Sequence, residues 1–449
     1  METMNSETPA PTVAVETLGC KVNQYETAYL LETLKKAGYV FVSFRESADV
    51  YIVHSCAVTA KAGFQTRQLL RRARRINPRA LVVAAGCYAQ LDSDRIAREQ
   101  LATHILGNPG KFAIAKWLGQ PGTFESPCLA TDSCSHACTD FEILPVSRMH
   151  SGRTRAMLKI QDGCDSFCSY CVVPHVRGRS RSLSPEGALE QMHRLVDAGY
   201  EEIVLTGIHL GQWGRDLEPR SCLAELLGKF DASRHPGRVR LSSLEPMELD
   251  ARLLDLVASC PWICPHLHIP LQSGDADILD RMGRPYTPDR YAELVGRIKA
   301  LMPDAAIGAD VLAGFPGETE RQFENTRKFL ESLPVSYLHV FPFSPRPGTP
   351  AAKFSGRVQG DELKRRARAL QELSARKKRE FREQFIGEIL EVLIETRTDS
   401  GLWEGLSSNY INVLVPPGAE VMPGCRLPVQ VAGFCGGDLE GKPVSPARK

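Results

Sequence analysis

"GCDSFCSYCVVP", residues 163–174, places Cys164, Cys168 and Cys171 within eight positions. The spacing is C-x3-C-x2-C, and it follows the apolar run "AMLKIQ" (156–161), which reads as a strand. Zinc sites favour paired cysteines or a mixed Cys/His set. No second pair lies nearby, and His175, four residues past Cys171, is the nearest candidate for a fourth zinc ligand. A [4Fe–4S] cluster takes thiolates. Three of them would cap three irons and leave the fourth open to a small ligand.

The surrounding sequence supplies a frame for that loop. Further strand candidates are "EEIVLT" (201–206), "RVRLSS" (238–243), "HLHIPL" (266–271), "AIGADVLAG" (306–314) and "YLHVFPF" (337–343). Helices beginning near Pro185, Ser221, Asp250, Pro288 and Glu320 separate them. Strands alternating with helices predict an α/β fold, here a partial (β/α)6 barrel short of the usual eight units. The cysteine loop then lies at the carboxyl-end face, where such barrels bind ligands.

Upstream, the runs "VAVETLGC" (13–20), "VYIVHSC" (50–56), "LVVAAGC" (81–87) and "HILGN" (104–108) alternate with helical stretches starting near Asn23, Thr59, Ser93 and Gly110. This pattern predicts a doubly wound parallel sheet. Three of the runs end in Cys20, Cys56 and Cys87. Ligands of such sheets bind outside the carboxyl ends of the strands, so three thiols far apart in sequence are expected to converge. Each is also compatible with a small buried residue.

Residues 119–152 lack periodicity, and 121–149 read as a linker whose Cys128, Cys134 and Cys138 have no strand frame. Residues 361–382 form a charged helix, and "IGEILEVLIET" (386–396), "GLWEGLSSNYINVLVP" (401–416) and "CRLPVQVAGF" (425–434) predict a small OB-like β-barrel. The expected domains are 11–120, 150–380 and 383–445. With 449 residues, 43% hydrophobic and 24% charged, and a net charge of +2, the chain has the composition of a globular protein. "METMNSETPAPTVAVE" lacks the basic start and apolar run of a signal peptide. No stretch approaches the roughly 18 apolar residues of a membrane span. A cytoplasmic location is expected, where grouped cysteines serve metals or catalysis more often than disulfides.

C-x3-C-x2-C after the first strand of a partial barrel, with Tyr170 before the last cysteine, resembles the radical S-adenosylmethionine enzymes. The resemblance implies that the open iron chelates the methionyl amine and carboxylate, and that one electron releases a 5′-deoxyadenosyl radical. "TLGCKVNQYET", "VHSCAVT" and "VAAGCYAQ", joined to this barrel and a terminal β-barrel, resemble the methylthiotransferases over about residues 12–440. In that family Cys20, Cys56 and Cys87 would carry a second [4Fe–4S] cluster, and the terminal barrel would be a TRAM domain that binds RNA. "LGCKVNQYE" looks most like the branch acting on N6-threonylcarbamoyladenosine at position 37 of tRNA. The branches acting on isopentenyladenosine and on an aspartate of a ribosomal protein are similar throughout. A non-catalytic iron–sulfur RNA-binding protein is the alternative of another class, and it would hold clusters with four cysteines each.

Polar groups at successive strand ends are the candidate S-adenosylmethionine contacts: Thr206, Gly207, Ser243, Glu245, Gln272 and Asp310, with Ser273 beside them. Each also suits a turn or helix cap. "RGRSRS" (177–182) and the acid-free "KAGFQTRQLLRRARR" (61–75) are candidates for tRNA phosphates, or else solvated faces. Trp403, Tyr410 and Phe434 are candidates for base stacking or for core packing. The implied partners are the anticodon stem-loop of tRNA and an electron donor, with the chain expected as a monomer.

Overall fold

The computed structural model describes residues 10–118, 128–130, 141, 143, 154–230, 237–418 and 421–444. Six strands form the first sheet: β1 (Thr12–Thr17), β2 (Val40–Phe41), β3 (Val50–Ser55), β4 (Leu81–Gly86), β5 (His104–Leu106) and β6 (Cys128–Ala130). Their order is β2-β1-β3-β4-β5-β6, and every pairing is parallel. All of β3 is buried because helices cover both faces. Tyr51 and Val53 face Leu70 and Ala73 of the helix Ala60–Ile76, whereas Val50 and Ile52 face Leu30 and Leu34 of the helix Lys21–Lys36. The doubly wound arrangement is therefore present. The strand order reverses between β1 and β3, the switch point where such sheets bind ligands. β6 comes from the stretch read as a linker, and Cys134 and Cys138 lie outside the described residues.

The second block contains β7 (Ala156–Lys159), β8 (Gln161–Asp162), β9 (Arg181–Ser182), β10 (Glu202–Thr206), β11 (Arg238–Leu241), β12 (His266–His268), β13 (Ala306–Ala313) and β14 (Tyr337–Pro342). β7, β10 and β11 form one parallel sheet, and β12, β13 and β14 another. A parallel bridge from Val239 to Ile263 joins them, with Val239 N donating to Trp262 O (2.6 Å) and Cys264 N to Val239 O (2.8 Å). All six predicted strands are found. A short helix, Ala276–Met282, appears where none was expected. One apolar core draws on all six strands and the helices between them. β8 and β9 pair antiparallel and close the base of the cysteine loop.

The helix Gly360–Glu383 leads to a closed barrel of β15 (Ile389–Arg397), β16 (Trp403–Ser407), β17 (Asn412–Val415), β18 (Arg426–Cys435) and β19 (Asp438–Pro443). It docks on the central strands through charge. Glu202 holds Arg238 (2.5 Å) and Arg240 (2.8 Å), which donate to Leu406 O (2.6 Å) and Ser408 O (2.9 Å). The Tyr410 ring stacks on His266 at 4.1 Å under the Arg240 guanidinium, so this tyrosine is engaged in the seam between the two units. Among the described residues no helix is long and apolar enough to cross a membrane.

Candidate functional site

Three strand ends build the first thiol set. Cys20 caps the helix Lys21–Lys36, Cys56 directly follows β3, and Cys87 opens a short helix directly after β4. Gly19 adopts φ +112°, and a Cβ there would lie 2.6 Å from Cys56 Cβ and 2.9 Å from its Sγ. Only glycine lets the Cys20 loop approach Cys56 so closely. The three thiols fall within one another's electrostatic reach. Asn108 Nδ2 sits 3.5 Å from Cys87 Sγ.

The second thiol set is held from several sides. Gln161 donates to the carbonyls of Asp162 (3.0 Å) and Gly163 (2.8 Å) and to Ser180 Oγ (2.9 Å), so one amide ties both ends of the loop. Its own oxygen accepts from His209 N (2.7 Å). The Cys164 thiol contacts His209 Nδ1 at 3.3 Å, and His209 Nε2 lies 2.6 Å from Glu248. Burial opposes a charge on His209, yet Cys164 and Glu248 raise its pKa to about 10. Arg284 donates to Cys168 Sγ (3.2 Å) and pairs with Glu245. His175, the candidate fourth zinc ligand, is exposed and edge-on to Phe167 at 6.0 Å.

Burial pushes the Cys56 thiol up to about 11 and the Cys171 thiol up to about 12. Free thiols of that kind stay protonated and are poor nucleophiles near neutral pH. A metal deprotonates a coordinating thiol outright. The donor set is three thiols at each place, with Cys56, Cys87 and Cys168 buried, Cys164 and Cys171 half-buried and Cys20 exposed, and with cationic Arg177 or Arg284 alongside; it fits a thiolate-bound cluster.

The two sets are neighbours. Cys87 packs with Val172 and Val176, just beyond Cys171, and Asn108 Nδ2 donates to Val176 O at 2.7 Å. Behind them lies a buried charge network that sequence reading missed. Arg177 binds Glu26 (3.0 Å), Asp162 (2.9 Å) and Asn23 (2.7 Å), and Glu26 also receives Lys111 (2.6 Å) and Lys159 (3.4 Å). Burial works against the Glu26 charge, but Arg177, Lys111 and Lys159 hold its carboxyl well below the usual range. Arg177 is thus committed to this network, a correction to its reading as a phosphate contact. Arg179 in the same run is exposed.

The candidate cofactor residues fall as follows. Thr206 ends β10, and Gly207 lies so tightly against Gln161 that a Cβ would meet its Oε1 at 2.8 Å. Ser243 is half-buried beyond β11, and Glu245 carries Arg284. Gln272 sits at φ +70° with its backbone bridged to β13. Asp310 accepts from His268 Nε2 (2.8 Å) and lies 3.4 Å from His339 Nδ1. Burial opposes its charge, but the two histidines hold its carboxyl low. Ser273 is fully buried on Thr326 Oγ1 (3.0 Å), where it supports the fold rather than a ligand. Sequence reading missed His209, Glu248 and Arg284. His209 lies inside "LTGIHLG", where a histidine one strand end away from the cysteine loop was the available signal.

Two family models match: Uncharacterized protein family UPF0004 over residues 12–107 and the Radical SAM superfamily over residues 158–330. The chain is 37% identical to the threonylcarbamoyladenosine tRNA methylthiotransferase MtaB of Bacillus subtilis, over 94% of both chains. It is 33% identical to a tRNA-2-methylthio-N(6)-dimethylallyladenosine synthase of Clostridium botulinum, over 85% of each. Among solved structures, the radical S-adenosylmethionine methyltransferase TsrM of Kitasatospora setae is similar in fold. The TM-score is 0.54 at 15% identity, covering 88% of this chain and 80% of that one.

Proposed function

We propose, for a chain that belongs to the radical S-adenosylmethionine methylthiotransferase family, that it converts N6-threonylcarbamoyladenosine at position 37 of tRNA to the 2-methylthio derivative. The observation that carries this reading is the placement of two cysteine triads side by side across one interface. Cys164, Cys168 and Cys171 would hold one [4Fe–4S] cluster, and Cys20, Cys56 and Cys87 the other. When bound, S-adenosylmethionine and the two clusters supply the radical that activates C2 and the sulfur and methyl group that C2 receives.

The chain's own residues position and insulate that chemistry. Gln161 fixes the ends of the Cys164–Cys171 loop and also the backbone of His209. Arg284 places a cation against Cys168 and pairs with Glu245. Thr206, Gly207, Ser243, Glu245, Gln272 and Asp310 are read as the wall that receives S-adenosylmethionine. The Arg177–Glu26 network excludes water behind both triads and holds them in register. We read the six central strands as a partial barrel and residues 383–445 as a TRAM-type RNA-binding module. The exposed Arg72 and Arg75 of the helix Ala60–Ile76 suit tRNA phosphates. We also propose a cytoplasmic, monomeric enzyme that draws its electrons from a separate donor.

Mass spectrometry of tRNA nucleosides from a deletion strain tests the reading. The 2-methylthio form of threonylcarbamoyladenosine should vanish and return on complementation. Loss of the dimethylallyl-derived 2-methylthio nucleoside instead would overturn the substrate assignment.

A further inference from the structure

Side chains along β12, β13 and β14 alternate between two faces of their sheet. Leu267, Ala309, Val311 and Leu338 enter the apolar core. His268, Asp310 and His339 take the intervening positions, on the opposite face, and meet one another there. His268 Nε2 lies 2.8 Å from Asp310 Oδ1, and His339 Nδ1 lies 3.4 Å from the same oxygen. The two imidazole rings are 4.9 Å apart, and the three ligand atoms all lie within 4.8 Å of one another. Two histidines and a carboxylate gathered on one side are the donor set of an open metal site. Tetrahedral zinc, with bonds of about 2.0–2.1 Å, separates its ligand atoms by about 3.3 Å, and the two separations to Oδ1 bracket that value.

The frame around the three is built to hold them. Asp310 and His339 are register partners on paired strands, and His268 pairs with Gly308 beside them. Sites on paired strands keep their geometry better than sites on loops. Tyr337 Oη lies 3.4 Å from His268 Nδ1 and 2.8 Å from His266 Nε2. A metal-ligating histidine uses such a partner on its second ring nitrogen to fix its tautomer and orientation. Gly308 makes room for that partner, since a Cβ there would run into the Tyr337 ring. The His339 side chain is 51% exposed against 12% for His268, so an ion can enter from the His339 side.

We propose that His268, Asp310 and His339 form a binding site for one divalent transition-metal ion. Three protein ligands leave a coordination position open, unlike the closed set of a structural zinc site. No residue of either cysteine triad takes part, and the inference does not need the function proposed above. Asp310, read above as part of the S-adenosylmethionine wall, then meets that pocket through the ion.

The test uses the cluster-loaded full chain, handled without oxygen, with zinc as the probe. Zinc is added, the excess is removed by gel filtration, and zinc and iron are counted by plasma mass spectrometry. Wild type should keep about one zinc per chain with its iron unchanged. X-ray absorption at the zinc edge should show nitrogen and oxygen at about 2.0–2.1 Å and no sulfur at about 2.3 Å. By titration calorimetry, Tyr337→Phe should weaken zinc about ten- to a hundredfold, and His339→Ala more than about a hundredfold. Iron content and circular dichroism report whether each variant is folded. Should the variants fail to fold, the absorption spectrum of wild type decides alone. No zinc retained by wild type, sulfur in its zinc shell, or equal zinc affinity of wild type and folded His339→Ala overturns the inference.

Discussion

Replacing Arg177 by methionine removes the guanidinium that ties the two cysteine-bearing units together. Arg177 makes four hydrogen bonds, two to Glu26, one to Asp162 and one to Asn23, all in the interior. Breaking a buried ion pair by deleting one partner costs about 3–5 kcal/mol, because the remaining charge keeps its desolvation penalty. Here Lys111 and Lys159 still face Glu26, and Lys159 still faces Asp162, so the lower end of that range applies. About 3 kcal/mol corresponds to a fall in Tm of roughly 6–12 °C for a domain of this size. The control is Arg179→Met, whose guanidinium is 70% exposed and lies 3.8 Å from Asp165. An exposed pair of that kind is worth about 0–1 kcal/mol. Differential scanning fluorimetry gives the stability of both variants. A second readout separates stability from function: Arg177→Met should retain S-adenosylmethionine cleavage per folded chain better than it retains methylthiolation, because it loosens the register between the triads. Equal Tm values and equal product ratios for the two variants would refute the reasoning.

Replacing Cys128, Cys134 and Cys138 together by serine should leave both cleavage and methylthiolation nearly unchanged, as liquid chromatography of the products would show. Acid stability should follow Glu202. Burial pushes its carboxyl up, but Arg240 and Arg238 outweigh that and hold it at about 2. The stability it contributes, on the order of 3 kcal/mol, is therefore complete above about pH 4.5 and lost as pH falls toward 2. Melts at pH 7, 4.5 and 3 should show that loss in wild type and a flatter profile in Glu202→Gln. Tyr410→Ala should lower Tm through the lost stack on His266 while changing stem-loop affinity less than about threefold. A larger loss of affinity at unchanged Tm would make Tyr410 a base-stacking residue.

Periodicity carried much of this molecule. Strands of five or six apolar residues that end in cysteine announce both the sheet and the place where Cys20, Cys56 and Cys87 meet. The two-residue β2 and the seven-residue helix Ala276–Met282 are too short to leave a periodic signature, and β6 sits in a polar stretch without one. Arg177 was misread for a different reason. An arginine in "RGRSRS" looks solvated, and its burial is decided by Asn23, Glu26 and Asp162, two of which lie some 150 positions upstream. Tyr410 was ambiguous in the same way, since its partner His266 belongs to another unit. Local pattern reports local structure, and long-range pairing of charges leaves no trace in it.

The central claim is a division of labour between the triads, and one variant tests it directly. A chain with Cys20, Cys56 and Cys87 all changed to alanine keeps Cys164, Cys168 and Cys171. Purified and reconstituted without oxygen, it should hold about half the iron of wild type, the share of one cluster in two. Incubated with reductant, S-adenosylmethionine and the threonylcarbamoyladenosine stem-loop, it should release 5′-deoxyadenosine and form no 2-methylthio product. Formation of that product, or full iron content, would contradict the account.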